Sequence, residues 1–253
     1  DLHLSLRRQR QMCIRDSTIS DISFEIGSGQ TLGIVGPPGS GKSTIARLIP
    51  RFYEPTAGRI LIDGQDISQV SLTSLREAIG GVQQDPFLFT AAVDHNVAYP
   101  DPLASMDQIV QASTDAQIHS FIEELPQNYQ TLVGEDGVSL SGGQKQRISI
   151  ARGTLTDAPI FIFDDATAAI DAGTEQHIRH ALNKRVGTHT TIIISHRLVS
   201  LMHADEILFL DEGRIVEHGT HEQLLALKGR YFALHSLSLI HISEPTRPLY
   251  LSY

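Results

Sequence analysis

The sequence predicts an α/β fold: a mainly parallel, doubly wound sheet with an antiparallel β-subdomain and an inserted helical subdomain. Three observations carry the prediction. Short apolar runs of strand length recur toward both ends of the chain: TLGIV at residues 31–35, IFIF at 160–163 and TTIII at 190–194. Runs that are apolar without alternation belong to strands covered on both faces, the condition of a parallel sheet. A glycine-rich string follows the first run and opens a helical pattern. A block of helical periodicity, about residues 86–155, separates the two α/β parts.

Taken in order, residues 20–25 and 59–62 read as strands of the small β-subdomain, with Asp63 and Gly64 as a turn. Residues 31–35 read as a buried strand and 43–49 as the start of a helix. Residues 107–116 and 118–125 read as helices, closed by Pro126, which cannot donate into a helical ladder. Residues 144–152 (QKQRISIAR) read as a further helix. Residues 160–163, 191–195 and 206–210 read as strands of the core sheet. The core and β-subdomain then occupy about residues 18–85 and 156–236. No apolar run approaches the ~20 residues of a membrane-spanning helix.

Residues 36–43 read GPPGSGKS and fit G-x-x-x-x-G-K-[ST]. Such a loop turns successive backbone N–H groups inward, toward phosphate oxygens that side chains would otherwise block. The candidate ATP-binding residues are Gly36, Pro37, Pro38, Gly39, Ser40, Gly41, Lys42, Ser43 and Thr44. Lys42 reaches the β- and γ-phosphates, and the Ser43 hydroxyl holds Mg²⁺. The helix N-terminus behind the loop adds partial positive charge. The fold is thus that of a P-loop nucleoside triphosphatase, with ligand at the carboxyl ends of the strands.

About a hundred residues later, Leu140, Ser141, Gly142, Gly143 and Gln144 spell LSGGQ before a helix. Together with the phosphate loop, this string makes residues 18–236 resemble the nucleotide-binding domain of the ATP-binding cassette (ABC) family, exporter type. The resemblance implies a set of roles. The LSGGQ turn caps the γ-phosphate held by a second such domain. Asp164, at the end of IFIFDD, holds Mg²⁺ beside Ser43 and Gln84. Asp165 stands where the family usually has glutamate, the general base. Gln84 contacts the metal and the attacking water, and His196, after TTIIIS, bonds the γ-phosphate. Asp171 lies in the loop that crosses the dimer interface. Glu135, in TLVGEDG, marks the segment that meets the membrane domains.

The implied cofactors are ATP and Mg²⁺. The implied partners are a second nucleotide-binding domain, in a homo- or heterodimer, and membrane-spanning domains fused upstream. The implied place is the cytoplasmic face of the cell membrane. Alternatives from other classes are a soluble ABC ATPase acting on nucleic acid or ribosomes, and a regulatory subunit with little hydrolysis. The formal net charge of −9 argues against a nucleic-acid surface.

Two terminal strings fit none of this. RRQRQMCIRDS at residues 7–17 and LSLIHISEPTR at 237–247 resemble translated sequencing-library adaptors. Residues 1–17 and 237–253 are therefore expected to be non-native and to lack stable contacts with the core. The single cysteine, Cys13, falls in the first, which leaves the remainder without a disulfide framework. The aromatic ring that exporters stack on adenine is missing before the first strand, because the adaptor-like string occupies its place.

Overall fold

The computed structural model describes residues 2–5, 19–134, 138–156, 158–183 and 189–243. Its centre is a six-stranded sheet. The spatial order is Arg214–Gly219, Glu206–Asp211, Thr31–Val35, Thr190–Ile194, Ile160–Asp164 and Ile79–Val82. All neighbours run parallel except the first pair, which is antiparallel. Parallel strands need helical crossovers on both faces, so their side chains are buried both ways. Leu32, Ile34 and Val35 are all fully buried, as the unbroken apolar run predicts.

One core packs this sheet against the β-subdomain and the helix Lys42–Leu48. Ile22, Phe24, Ile45, Ile60, Ile162 and Ile192 meet there. A second core holds the helical subdomain, with Val93, Ile109, Ile122 and Ile148 from its helices. Those helices are Val93–Val97, Met106–Asp115, His119–Glu123 and Gly142–Leu155. Val82, Ala166 and Ile170 belong to the same core, so this subdomain grips the end of the sheet that carries the acids. A third core lies under His221–Leu227 and the last helix, around the fully buried Tyr231.

The chain ends depart from expectation. Leu2–Ser5 forms a strand between Ser23–Ile26 and Arg59–Ile62, antiparallel to both. Residues 2–5 therefore do contact the β-subdomain, contrary to the reading of residues 1–17 as free of it. Two strand edges with unpaired N–H and C=O groups face a gap one strand wide, and LHLS has the alternation a strand accepts. At the other end the helix Arg230–Ser243 runs seven residues into the 237–253 segment. No helix breaker intervenes before Pro245. Leu237, its first residue there, is 58% exposed.

Candidate active site

The phosphate loop joins the strand Thr31–Val35 to the helix Lys42–Leu48. Gly36 must be glycine: a Cβ there would lie 2.0 Å from the carbonyl oxygen of Leu210. Gly39 has a φ of 79° and nothing within 4 Å of where a Cβ would be, so it needs its backbone freedom and faces open space. Ser40 is 2% exposed, and its hydroxyl has no hydrogen-bond partner. A buried hydroxyl without a partner is costly unless a ligand completes it. Gly41 is left-handed at φ 100°, and its carbonyl accepts from the amides of Thr44 and Ile45.

Lys42 is buried and folds back over its own loop. Its Nζ donates to the carbonyls of Gly36 at 2.8 Å and Pro37 at 2.9 Å. Burial pushes its pKa below the ordinary lysine value, and Asp165 and Asp164 oppose the shift. Phosphate oxygens in this loop would replace two neutral acceptors with charged ones, which bond about twice as strongly.

The acids arrive from the next strand but one. Asp164 ends the strand Ile160–Asp164 and pairs in register with Ile194. Its Oδ1 accepts from the Ser43 hydroxyl at 3.1 Å. Burial raises its pKa, and the Ser43 bond partly counters that. Asp165 adopts a left-handed φ of 45°, and its amide donates to the Ile194 carbonyl at 2.9 Å. This turn aims the carboxylate at the segment after the neighbouring strand. There Oδ1 accepts from the His196 amide at 3.0 Å, and Oδ2 lies 3.2 Å from His196 Nε2. The carboxylate is 8% exposed and the histidine ring 45%.

The structure thus brings Lys42, Ser43, Asp164, Asp165 and His196 together at the carboxyl ends of parallel strands. It does not bring Gln84 into that group. Gln84 lies two residues past Val82, which pairs with Phe163; it is exposed and makes no hydrogen bond to Ser43 or Asp164. Nor does the LSGGQ turn meet its own chain's phosphate loop; no hydrogen bond links residues 140–144 to 36–44 among the described residues.

That turn is built as a helix start. Leu140 is buried in the helical subdomain. Ser141 and Gln144 form a reciprocal capping box, with the Ser141 Oγ accepting from the Gln144 amide and the Gln144 Oε1 from the Ser141 amide. Gly143 packs closely: a Cβ would lie 2.8 Å from the carbonyl oxygen of Ala169. Asp171 is exposed, and its Oδ1 accepts from the Thr174 amide at 3.0 Å. Hydrogen bonds from Thr174 hold its carboxyl below the ordinary value. Glu135 lies outside the described residues. The sequence reading passed over Glu175 and Arg197, a buried carboxylate and the cation paired with it. The available signal was an arginine directly after His196.

The oxygen donors suit a magnesium nucleotide. Mg²⁺ is held by one or two protein oxygens together with phosphate oxygens and water, and Ser43 Oγ and Asp164 Oδ1 converge beside an open phosphate loop.

Residues 19–168 match the family model described as "ABC transporter". The chain belongs to the ABC transporter family. It is 47% identical over 232 residues to the ABC transporter ATP-binding protein YknU of Bacillus subtilis, covering 92% of this chain and 40% of that one. It is 47% identical over 219 residues to an ATP-dependent lipid A-core flippase of Syntrophus aciditrophicus, covering 87% of this chain and 36% of that one. A solved bacterial Atm1-family ABC exporter with ATP bound superposes with a TM-score of 0.88 at 44% identity, over 94% of this chain and 42% of that one. The chain therefore spans about 40% of the length of the relatives it matches. It is an ATP-binding, ATPase-type domain of this family. No helix among the described residues is long and apolar enough to cross a membrane.

Proposed function

We propose that this ABC domain hydrolyses ATP to drive an exporter, by closing head to tail on a second domain of the same kind. The observation that carries this is the convergence of Lys42, Ser43, Asp164, Asp165 and His196 at one end of the sheet, while the LSGGQ turn stands apart on the helical subdomain. A turn with exposed Ser141 and Gly142 has no role toward its own phosphate loop. It suits the γ-phosphate of a facing copy, offered a helix N-terminus and a Ser141 hydroxyl that accepts from Gln144 and keeps its proton to donate.

In this reading the amides of residues 36–44 and the Lys42 ammonium bind and orient the triphosphate. Ser43 and Asp164 would hold Mg²⁺, which would neutralise charge on the phosphate oxygens. Asp165 polarises the attacking water, and His196 bonds the γ-phosphate and holds Asp165 in place. Closure of the two domains completes both sites and excludes water. Asp171 and Ser141 lie at the joint between the domains.

The relatives' greater length supports membrane-spanning domains as the moving partner, with this domain at the cytoplasmic face of the membrane. Phe87 and Tyr99, 66% and 59% exposed, and Leu132, 45% exposed, offer apolar surface on the helical subdomain. The TLVGEDG segment with Glu135 is the proposed contact for those domains.

A second reading rests on Asp165. Both of its oxygens are engaged by His196, and its side chain is one methylene shorter than glutamate. A site of this kind hydrolyses slowly and suits one half of a heterodimer, with the intact LSGGQ turn serving a glutamate-bearing partner. The test of the main reading is ATP hydrolysis by the purified chain, with and without its partner domain. Lys42→Ala should abolish ATP binding and turnover; ATP binding unaffected by that change would remove the reading.

A further inference from the structure

Glu175 is a buried carboxylate for which the ATP site has no direct use. It sits in the first turn of the helix Ala172–Asn183 and is 4% exposed. Its Oε1 accepts a hydrogen bond from the Ser200 hydroxyl. Its Oε2 lies 2.7 Å from Arg197 Nη1. The same nitrogen donates to the carbonyl of Ile170 at 3.0 Å and reaches that of Thr167 at 3.4 Å. One guanidinium nitrogen thus gathers a carboxylate and two carbonyls from the turn between Asp165 and Asp171.

Both ends of that contact matter for the site. Arg197 directly follows His196, whose amide donates to Asp165. The turn continues to the LSGGQ helix, because the Ala169 amide donates to Gln146 Oε1 at 2.8 Å. The carbonyl of Ala169 leaves no room for a side chain at Gly143. Polar and close contacts therefore run without a gap from His196, through Arg197 and the turn, to the helix that carries LSGGQ.

We propose that the Arg197–Glu175 pair is a positioning unit, which holds His196 and the Asp165–Asp171 turn in the geometry that ATP hydrolysis needs. The proposal rests on the ATPase reading above. A buried ion pair is a poor source of stability, since desolvation offsets its attraction. Its use is directional: charge-assisted bonds from one nitrogen to a carboxylate and to two carbonyls fix where the chain lies. Among the described residues His196 is held on the other side through Asp165, which its ring and amide grip as a unit. Loss of the Arg197 anchor leaves that unit free to rotate about the end of the strand Thr190–Ile194. Among the described residues Arg197 bonds to Glu175, Thr167, Ile170 and Ser195, none of them in the phosphate loop or a proposed metal ligand, and it acts through His196 and the turn.

The obvious variant, Glu175→Ala, strands a cation against buried carbonyls and risks unfolding. Arg197, with 36% of its side chain exposed, is the safer position. The experiment compares wild type, Arg197→Met, Arg197→Lys, His196→Ala and the double Arg197→Met/His196→Ala in the full chain. ATP affinity is measured by calorimetry, kcat and KM by phosphate release, and melting temperature by scanning fluorimetry. Arg197→Met should keep ATP affinity and KM within about twofold while kcat falls about tenfold or more, since misplacement by ~1 Å can cost 10²-fold. Arg197→Lys should recover part of the loss, because a single nitrogen makes all three contacts in the wild type. The double variant should be no slower than His196→Ala alone, as expected of residues acting as one unit. Arg197→Met at the wild-type rate, or losses that add in the double variant, overturn the proposal. So does a parallel fall of affinity, kcat and melting temperature, which marks a merely structural role. A wild-type chain with no ATP turnover defeats the ATPase reading instead, and this proposal falls with it.

Discussion

Asp165→Glu is the most informative single change in this domain. In the wild type the carboxylate is tied twice to His196, to its amide at 3.0 Å and its ring at 3.2 Å. An added methylene displaces the carboxylate by about 1.5 Å, one carbon–carbon bond. The two bonds cannot both survive, since a bond of 3.0 Å has almost no slack before it ceases to be one. The amide bond is the one expected to go, because the ring can follow the carboxylate and the backbone cannot. A hydrogen bond to a charged group contributes about 1.5–3 kcal/mol. Asp165 also has a φ of 45°, a conformation that aspartate tolerates better than glutamate does. For a domain of this size each kcal/mol moves the melting temperature by about 2–4 °C, so the variant should melt about 3–12 °C lower. Turnover should move the other way. A general base is worth about 10²–10⁴ in rate, and a placement error of ~1 Å about 10²-fold, so hydrolysis should rise by about 10- to 100-fold. The assay is phosphate release at saturating ATP alongside a thermal melt of the same samples. A glutamate variant that is no faster, beside a wild type that already turns over rapidly, would refute the view of Asp165 as a short, preoccupied base.

Other outcomes follow from the same geometry. Ser141→Arg should leave ATP affinity of the monomer unchanged and block ATP-driven pairing in size-exclusion chromatography; equal loss of affinity would place the LSGGQ turn in its own chain's site. Asp164→Asn should separate stability from binding. Burial raises the Asp164 pKa above its ordinary 3.8, so the folded ligand-free domain binds this proton more tightly than the unfolded chain. That contribution is present below the unfolded value and is lost as pH rises through the raised folded value. The asparagine variant should therefore gain melting temperature relative to wild type as pH increases across that window, while losing magnesium-dependent ATP affinity; a pH-independent difference contradicts this. Removal of residues 237–253 should leave the melt within error, since Leu237 is largely exposed. Removal of residues 1–17 takes away the strand Leu2–Ser5 between two others and should lower it by several degrees; an unchanged melt would show that this pairing contributes nothing.

Much of the site was legible in the sequence because it is local. A strand, a glycine loop and a helix in succession bind phosphate through backbone geometry, and that geometry is written in Gly36, Gly39 and Gly41 within a few residues. The capping box of Ser141 and Gln144 is equally local. The parallel sheet was legible because strands buried on both faces must be apolar without alternation. Element ends were less so: the helix read as 144–152 runs from Gly142 to Leu155, since a capping box starts a helix before its apolar pattern does.

What only the tertiary structure decided lies in the joining of distant segments. Sheet register sets Asp164 beside Ser43, 121 residues away, and Asp165 against His196, 31 residues away. Composition carries no record of register, because a strand's apolar faces look the same whichever neighbour they pair with. For the same reason the exposed place of Gln84, the Glu175–Arg197 pair and the insertion of Leu2–Ser5 into the β-subdomain could not be read from the string of residues. Each depends on which edges and carbonyls are left open once the sheet has closed, and that is a property of the assembled fold.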